Sequence, residues 1–470
     1  MRKLVPALLL LCAWAIADNP RTLAIRNAKI VTVSGPVLNK GTVVVRNGLI
    51  EAVGENAPIP AGAWIVDGEG MTVYPGLIDS LSTVGIPSLA PATPPAGRGG
   101  RGQTTPAQTP TPTPAPVATP ATTTAPVTRA MGPEDRPATT SWVLAADEID
   151  PSDHRIESVR SAGFTTTVTF PARAIFGGQG SIIDLASVQH AGEMVVVPAV
   201  GQYLAVSRGG GMFGGFGAGF PNALMGYIAY IRQIYLDAEH YKLLKEAYAH
   251  SPRGMERPPY DRALEGVLES KRILLPANRV VEMDRMLRFA AELQQPAILY
   301  GMREAYRPEA APLLKKYGSP VLVSMHWTEA PRDPDPEAYR TMRSLENVDQ
   351  GPAAPGLLRK AGVPFALYTD GLDQPKELQR AVKKAIDAGL ARQDAIRALT
   401  LSPAEIYGVA DRLGSIEVGK IANLVVTKGD LFDDHTQIEM IFVDGKQYKP
   451  APEPPAGGGR GATEEPGVSQ

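Results

Sequence analysis

Val73-Tyr-Pro-Gly-Leu-Ile-Asp-Ser-Leu-Ser-Thr-Val-Gly85 separates two stretches of opposite character near the start of the 470-residue chain. Before it, Leu23–Val73 reads as short strands punctuated by turns. Gly41–Arg46 and Leu49–Val53 flank Asn47-Gly48, the strongest short-range hairpin signal, and Asp67-Gly68 marks another tight turn. After it, Ser88–Val127 is Pro, Thr, Ala and Gly, and contains Gly-Arg-Gly-Gly-Arg-Gly. Such a composition cannot bury enough apolar surface to offset the entropy of ordering, so residues 88–130 are predicted to be a disordered insert.

Farther along, helical and strand patterns alternate. His154–Ala162 has a helical pattern, and Phe164–Phe170 is a β-branched strand run. Ile182–Leu185 and Met194–Val200 read as further strands, with a hairpin among the arrangements open to them. A glycine-rich loop, Ser207–Phe220, precedes a long amphipathic helix over Pro221–Ala249, with Ile228, Ile231, Tyr235 and Leu243 on similar faces. Strand–helix pairs then begin at Ile273–Leu275, Ala297–Tyr300, Val321–Ser324 and Phe365–Tyr368. Seven or eight such strands imply an α/β protein built on a (β/α)8 TIM-like barrel with insertions. Near the C-terminus, Gly414–Val426 and Ile438–Val443, with the turn Asp444-Gly445, return to strand character.

Formal net charge is −2, from 47 Lys and Arg against 49 Asp and Glu, and no basic block tracks phosphates. Nucleic acid is therefore excluded as an expected partner. Arg2 and Lys3, the apolar run Leu4–Ile16 and the small-x-small site Ala15-Ile16-Ala17 fit a signal peptide over residues 1–17. That run is shorter than the roughly 20 residues a spanning helix needs, and no later stretch is longer and as apolar. The expectation is an exported protein, periplasmic or extracellular, with no membrane span in its mature form. The single cysteine, Cys12, lies in the leader, so the mature chain has no disulfide, Cys metal site or Cys nucleophile.

Tyr74-Pro-Gly-Leu-Ile-Asp-Ser80 resembles the entry to the first barrel strand of the amidohydrolase superfamily. Arg160–Thr166, Thr369-Asp370 and the C-terminal Gly419-Lys-Ile-Ala-Asn-Leu-Val-Val426 extend the resemblance, which is closest to the imidazolonepropionase-like branch. It implies a barrel, residues 76–412, inserted in a small discontinuous β-sandwich domain, residues 18–75 and 413–450, with a disordered tail at 451–470. The family reaction is hydrolysis of non-peptide or peptide-like C–N bonds. It needs a divalent metal such as zinc to acidify water and polarise the scissile carbonyl. The His ligand positions that the resemblance implies fall here on Leu81, Thr83, Pro276 and Tyr300, none of which is His. Lys271 is the nearest candidate for the fourth-strand ligand, and Asp370 keeps its place.

Asp370 reads as the family's strand-eight base or as an Asp capping a strand-to-loop turn. His326 follows the strand Val321–Ser324 and, with Glu329 nearby, reads as a general base, as one ligand of a rebuilt site, or as a His-Trp pair packing the rim. His154, His190, His240, His250 and His435 fit surface positions. The acids between Glu329 and Glu337 are separated by prolines and fit a solvated loop, while Gly177-Gly178-Gln179-Gly180 precedes a strand and lacks the Lys-Ser/Thr of a phosphate loop. Two functions are consistent with these residues. One is an exported amidohydrolase-family hydrolase with a depleted or rebuilt site that uses Asp370 and His326. The other is a non-catalytic pseudoenzyme acting as a binding or partner subunit. Either admits a small-molecule or peptide-like ligand, a homo-oligomer, or pairing with an intact relative.

Overall fold

The computed structural model describes residues 22–87, 136, 139–171, 174–206, 223–330, 341–372, 374–433 and 436–451. The leader, the whole of the 88–130 insert, the glycine-rich loop, the acids at 333–337, His435 and the tail from 452 lie outside the described residues.

Two eight-stranded sheets organise the chain. The first takes β1 (Thr22–Ile30), β2 (Leu38–Arg46), β3 (Leu49–Gly54), β4 (Trp64–Asp67) and β5 (Thr72–Pro75) from the N-terminal side. It takes β14 (Leu424–Lys428), β15 (Gln437–Val443) and β16 (Lys446–Tyr448) from the C-terminal side. The order is β16-β15-β14-β5-β1-β2-β3, with β4 paired to β1, so β5 and β14 join the two ends of the chain by an antiparallel ladder. The eight strands form one hydrogen-bonded sheet; Leu49 at its β3 edge is bridged to Ile421 just before β14, and residues of β1, β2, β3, β5, β14 and β15 share one buried core. Asn47 and Gly48 both have positive φ, as do Asp444 and Gly445, and the two turns abut. A Cβ on Gly48 would lie 2.5 Å from the Asp444 carboxylate, so glycine is required there for close approach as well as for the turn.

Gly76 is the single residue between β5 and β6 (Leu77–Ser82), the first strand of the barrel. A Cβ there would meet the Thr165 hydroxyl at 2.0 Å, and its N–H donates to Asn423 O across 2.8 Å. The barrel continues through β7 (Phe164–Thr169), β8 (Phe176–Asp184), β9 (Val195–Leu204), β10 (Ile273–Ala277), β11 (Ala297–Gly301), β12 (Val321–Ser324) and β13 (Phe365–Tyr368). These eight strands are adjacent in chain order, and the sheet is nearly closed. Ile78, Val168, Ile182, Leu274, Ile298, Leu322 and Ala366 fill its interior. Leu275, Leu299, Val323 and Leu367 face the surrounding helices, as the two-residue period of a strand dictates.

Helices α1 (Arg155–Ser161), α2 (Leu224–His250), α3 (Arg262–Leu268), α4 (Val280–Glu292) and α5 (Ala310–Tyr317) precede β12. Helices α6 (Met342–Gln350), α7 (Ala354–Ala361), α8 (Pro375–Asp387), α9 (Arg392–Ala398) and α10 (Leu401–Tyr407) complete the α-helices among the described residues. From β9 to β13 the strands pair in parallel. The regular (β/α)8 expectation fails between β7 and β9. There β8 runs antiparallel to both neighbours, and no α-helix separates the three strands. Gly177-Gly178-Gln179-Gly180 lies inside β8 and does not precede it. Glycine is poor strand material, which hides the strand from a sequence reading. It is needed for space: a Cβ on Gly180 would lie 2.1 Å from the Phe170 ring, and one on Gly177 would lie 2.3 Å from Pro171 O.

A buried polar joint fixes the barrel to the first sheet. The Asn423 amide donates to Asp184 (2.9 Å) and Thr166 (3.0 Å), Thr166 Oγ1 donates to Asp184 (2.8 Å), and Asn423 Oδ1 accepts Asp444 N–H (2.7 Å). Burial pushes the Asp184 carboxyl up to about 7, against the two hydrogen bonds.

Candidate functional site

The C-terminal ends of parallel barrel strands carry active sites in this architecture. Here that rim is formed by the ends of β6, β9, β10, β11, β12 and β13, with Phe170 following β7. The seam between β6 and β13 is bridged by side chains. Asp79 accepts from Thr369 N (3.1 Å) and Thr369 Oγ1 (2.7 Å), and Ser80 Oγ donates to Leu367 O (2.8 Å). Asp79 is fully buried, and that burial raises its carboxyl to about 7 against the hydrogen bonds it accepts.

Inside the rim stands an aromatic plug. The Tyr300 hydroxyl donates to Tyr203 Oη at 2.8 Å, and the two rings stack with centroids 5.7 Å apart. Phe170 tilts against Tyr203 at 6.2 Å. Leu81 and Tyr368 belong to the same buried cluster. Burial holds the phenols of Tyr203, Tyr300 and Tyr368 well above their ordinary value, so all three stay neutral and protonated.

Asp370 ends the β13 run in the left-handed region, with φ 51°. Its carboxylate accepts from Ser324 Oγ at 2.7 Å, and Ser324 in turn accepts the His326 N–H at 3.0 Å. His326 Nδ1 lies 3.3 Å from the Asp370 carbonyl oxygen, and its ring is exposed. The structure thus brings Asp370 and His326 together through Ser324. Glu329 does not join them: it is exposed and ion-pairs with Lys384.

The remaining sequence candidates are taken up by packing, by other partners or by distance from the rim. Leu81 is fully buried and apolar. The Thr83 hydroxyl accepts from Arg155 Nη1 at 3.1 Å, and the same guanidinium holds the backbone carbonyls of Thr83 and Ile86. Pro276 pairs in register with Tyr300 across β10 and β11. Lys271 precedes β10 and is exposed, at the opposite end of the strand from the rim. The end of the fourth barrel strand, β9, carries Tyr203 instead. Glu304, also near the rim, is buried and taken up by Val280 N–H (3.2 Å) and Arg343 (2.9 Å).

Tyr203, Ser324, Tyr368 and Asp79 are site residues that the sequence does not single out. Ser324 ends a recognisable strand, and Tyr368 stands two residues before Asp370, so their position at the rim is available in the pattern. Tyr203 is not, because the strand signal of β9 stops at Val200, short of the residue that reaches the rim.

A zinc-like centre needs at least three protein donors, as imidazole, thiolate or carboxylate. Asp370 and His326 offer two, and among the described residues no group of three or more His, Cys, Asp and Glu could hold an ion. The donor set described at the rim does not fit a metal ion of that kind. At the other end of the barrel, a cavity of about 490 Å³ is lined by Arg359, Asp394, Arg397 and Glu405 among others. Its charges are paired internally, Arg359 with Asp394 and Arg397 with Glu405, each at 2.7 Å.

Residues 338–450 match the model of the amidohydrolase family. Among solved structures, an amidohydrolase from Thermotoga maritima is 26% identical, with a TM-score of 0.67, covering 91% of this chain and 100% of that one. Molinate hydrolase (15% identity, TM-score 0.51, covering 92% and 95%) and phenylurea hydrolase B (16%, 0.50, 91% and 96%) share the fold. No curated protein sequence matches the chain. The matched segment supplies β13, helices α6 to α10 and the C-terminal strands of the first sheet. No helix of the described residues is long and apolar enough to cross a membrane.

Proposed function

We propose that this chain is an exported, amidohydrolase-fold protein whose barrel rim no longer builds the family's metal centre, and that it acts as a binding or partner subunit. The observation that supports the reading best is the Tyr203–Tyr300 pair. Two neutral, mutually hydrogen-bonded phenols stack where strands four and six end, and one of them holds a position at which the resemblance expects imidazole. A phenol that is kept protonated and already hydrogen-bonded is a poor ligand, and the apolar Leu81 supplies no lone pair. The export part of the reading rests on the leader-like Arg2–Ala17, and the imidazolonepropionase-like assignment on the motifs around Asp79, Gly163 and Asn423.

A second reading, hydrolysis at a rebuilt site, draws on the proximity of Asp370, Ser324 and His326. In that case Asp370, held by Ser324, takes a proton from water, and His326 delivers one to the leaving nitrogen. The two readings separate in one assay. The full chain is offered N-acyl amino acids, dipeptides and cyclic ureides with and without added zinc, beside Asp370→Ala. Turnover that zinc stimulates and Asp370→Ala abolishes would sink the partner-subunit reading. No turnover with any of them, from a folded protein that calorimetry finds indifferent to zinc, is the expected result.

A further inference from the structure

Helix α2 has two apolar faces. Tyr227, Ile231, Ile234, Ala238 and Tyr241 are buried against the protein. At 100° per residue, Met225, Ala229, Leu236, Leu243 and Ala247 form a stripe roughly opposite that buried face, over about 33 Å of helix. All five are exposed; Met225 is 85%, Leu236 53% and Leu243 57% accessible. A helix with one core-facing stripe needs no second one. A second apolar stripe, diametrically opposed to the first, calls for a second partner.

We infer that this face pairs with the same face of a second copy of the chain, antiparallel and centred on Leu236. The spacing of the stripe selects that register. With Leu236 opposite Leu236 at the centre, Ala229 falls opposite Leu243, and Met225 opposite Ala247, so on either side of the central leucine pair a large side chain meets a small one. Charge follows the same symmetry. Arg232 and Glu239 lie on the same flank of the stripe, and the register sets Arg232 of each copy beside Glu239 of the other, twice over. Arg232 uses its Nε and Nη2 on Glu292, leaving the Nη1 donors for that contact. On the other flank His240 falls beside Gln233 of the second copy. A parallel pair would instead oppose Met225 to Met225 and Leu243 to Leu243, large on large, and would set the Arg232 flank of each copy against the Gln233 and His240 flank of the other, where Glu239 is out of reach. Antiparallel packing also sets the positive end of each helix dipole against the negative end of the other.

The chain offers a clean test, because Cys12 is its only cysteine. In the full chain carrying Cys12→Ser, Leu236→Cys is expected to form a disulfide-linked homodimer under mild oxidation. Ala229→Cys alone is expected to remain unlinked, and a mixture of Ala229→Cys with Leu243→Cys to cross-link. Sedimentation should show a dimer whose mass halves in Leu236→Glu with Leu243→Glu, with the circular dichroism spectrum unchanged. Self-linking by Ala229→Cys would overturn the antiparallel register. A chain that sediments as a monomer at tens of micromolar, or that stays dimeric when both leucines are charged, would overturn the face itself, as would a monomer that pairs only with a different amidohydrolase-fold protein.

Discussion

From β10 to β13 every strand is followed by a helix and runs parallel to its neighbour, whereas from β7 to β9 three strands meander with no α-helix between them. The two halves share one barrel and one interior. The regular half is where strand–helix alternation is legible, and it leads into the segment that matches the amidohydrolase model. The irregular half follows the low-complexity insert, reverses β8, and places Phe170 and Tyr203 in the rim. The regular half brings Tyr300, Ser324, His326, Tyr368 and Asp370 to the rim, and the irregular half adds the ring pair Phe170 and Tyr203 that packs against Tyr300.

Glycine substitutions should separate the halves most sharply. Gly180→Ala forces a methyl to within 2.1 Å of the fully buried Phe170 ring. Overpacking of this kind costs about 1–3 kcal/mol and sometimes more, so a loss of about 3 kcal/mol in urea unfolding is expected. Gly318 and Gly362 end α5 and α7 in left-handed conformations with open space around them. Alanine there should cost only about 1 kcal/mol, the left-handed penalty alone. Equal losses at Gly180 and Gly318 would mean that β8 is not packed as described.

Asp184, at the base of the irregular half, and Asp79, at the seam, give a second contrast. Both carboxyls are raised to about 7 in the fold, from about 3.8 in the unfolded chain. Between those values the folded state binds more protons, so each group's contribution makes stability fall as pH rises from about 4 to about 7, and level off above. A tenfold difference in proton affinity between the folded and unfolded chain is worth about 1.4 kcal/mol, so the effect is on the order of a few kcal/mol per group. Asp184→Asn and Asp79→Asn remove the titration and keep an oxygen acceptor. The difference in unfolding free energy between wild type and each variant should favour wild type at pH 5 and shrink or reverse at pH 8. A difference independent of pH would contradict the assignment.

A smaller effect is expected from Tyr300→Phe. It keeps the stacked ring and deletes the 2.8 Å hydroxyl bond to Tyr203, so a loss of about 1 kcal/mol is expected. A loss several times larger would mean that the phenol has work beyond the plug, and would reopen the rim as a chemical site.

Much of the regular half is legible in the sequence. Val321–Ser324 and Phe365–Tyr368 stand where their apolar, β-rich runs place them, and α1 falls one residue inside each end of His154–Ala162. The hairpin turn at Asn47-Gly48 is legible for the same reason, because turn chemistry and strand period are local, whereas the pairing of the two ends of the chain in the first sheet is anticipated only by the resemblance. What stays hidden depends on contacts. Gly177 to Gly180 reads as preceding a strand until Phe170 and Pro171 are seen pressed against it. Thr83 reads as a strand-end residue until Arg155 is seen holding it. At the rim, the positions of Leu81, Pro276, Tyr300 and Asp370 are legible, but the partner of each is not: Asp370 turns to Ser324, and Tyr300 to Tyr203, from strands far away in sequence.

The most direct test of a rim without the family's metal centre is the metal content of the full chain, purified without chelator and quantified by mass spectrometry. The account predicts zinc, manganese and iron all far below one equivalent, unchanged in Asp370→Ala. Near-stoichiometric metal that Asp370→Ala releases would contradict it.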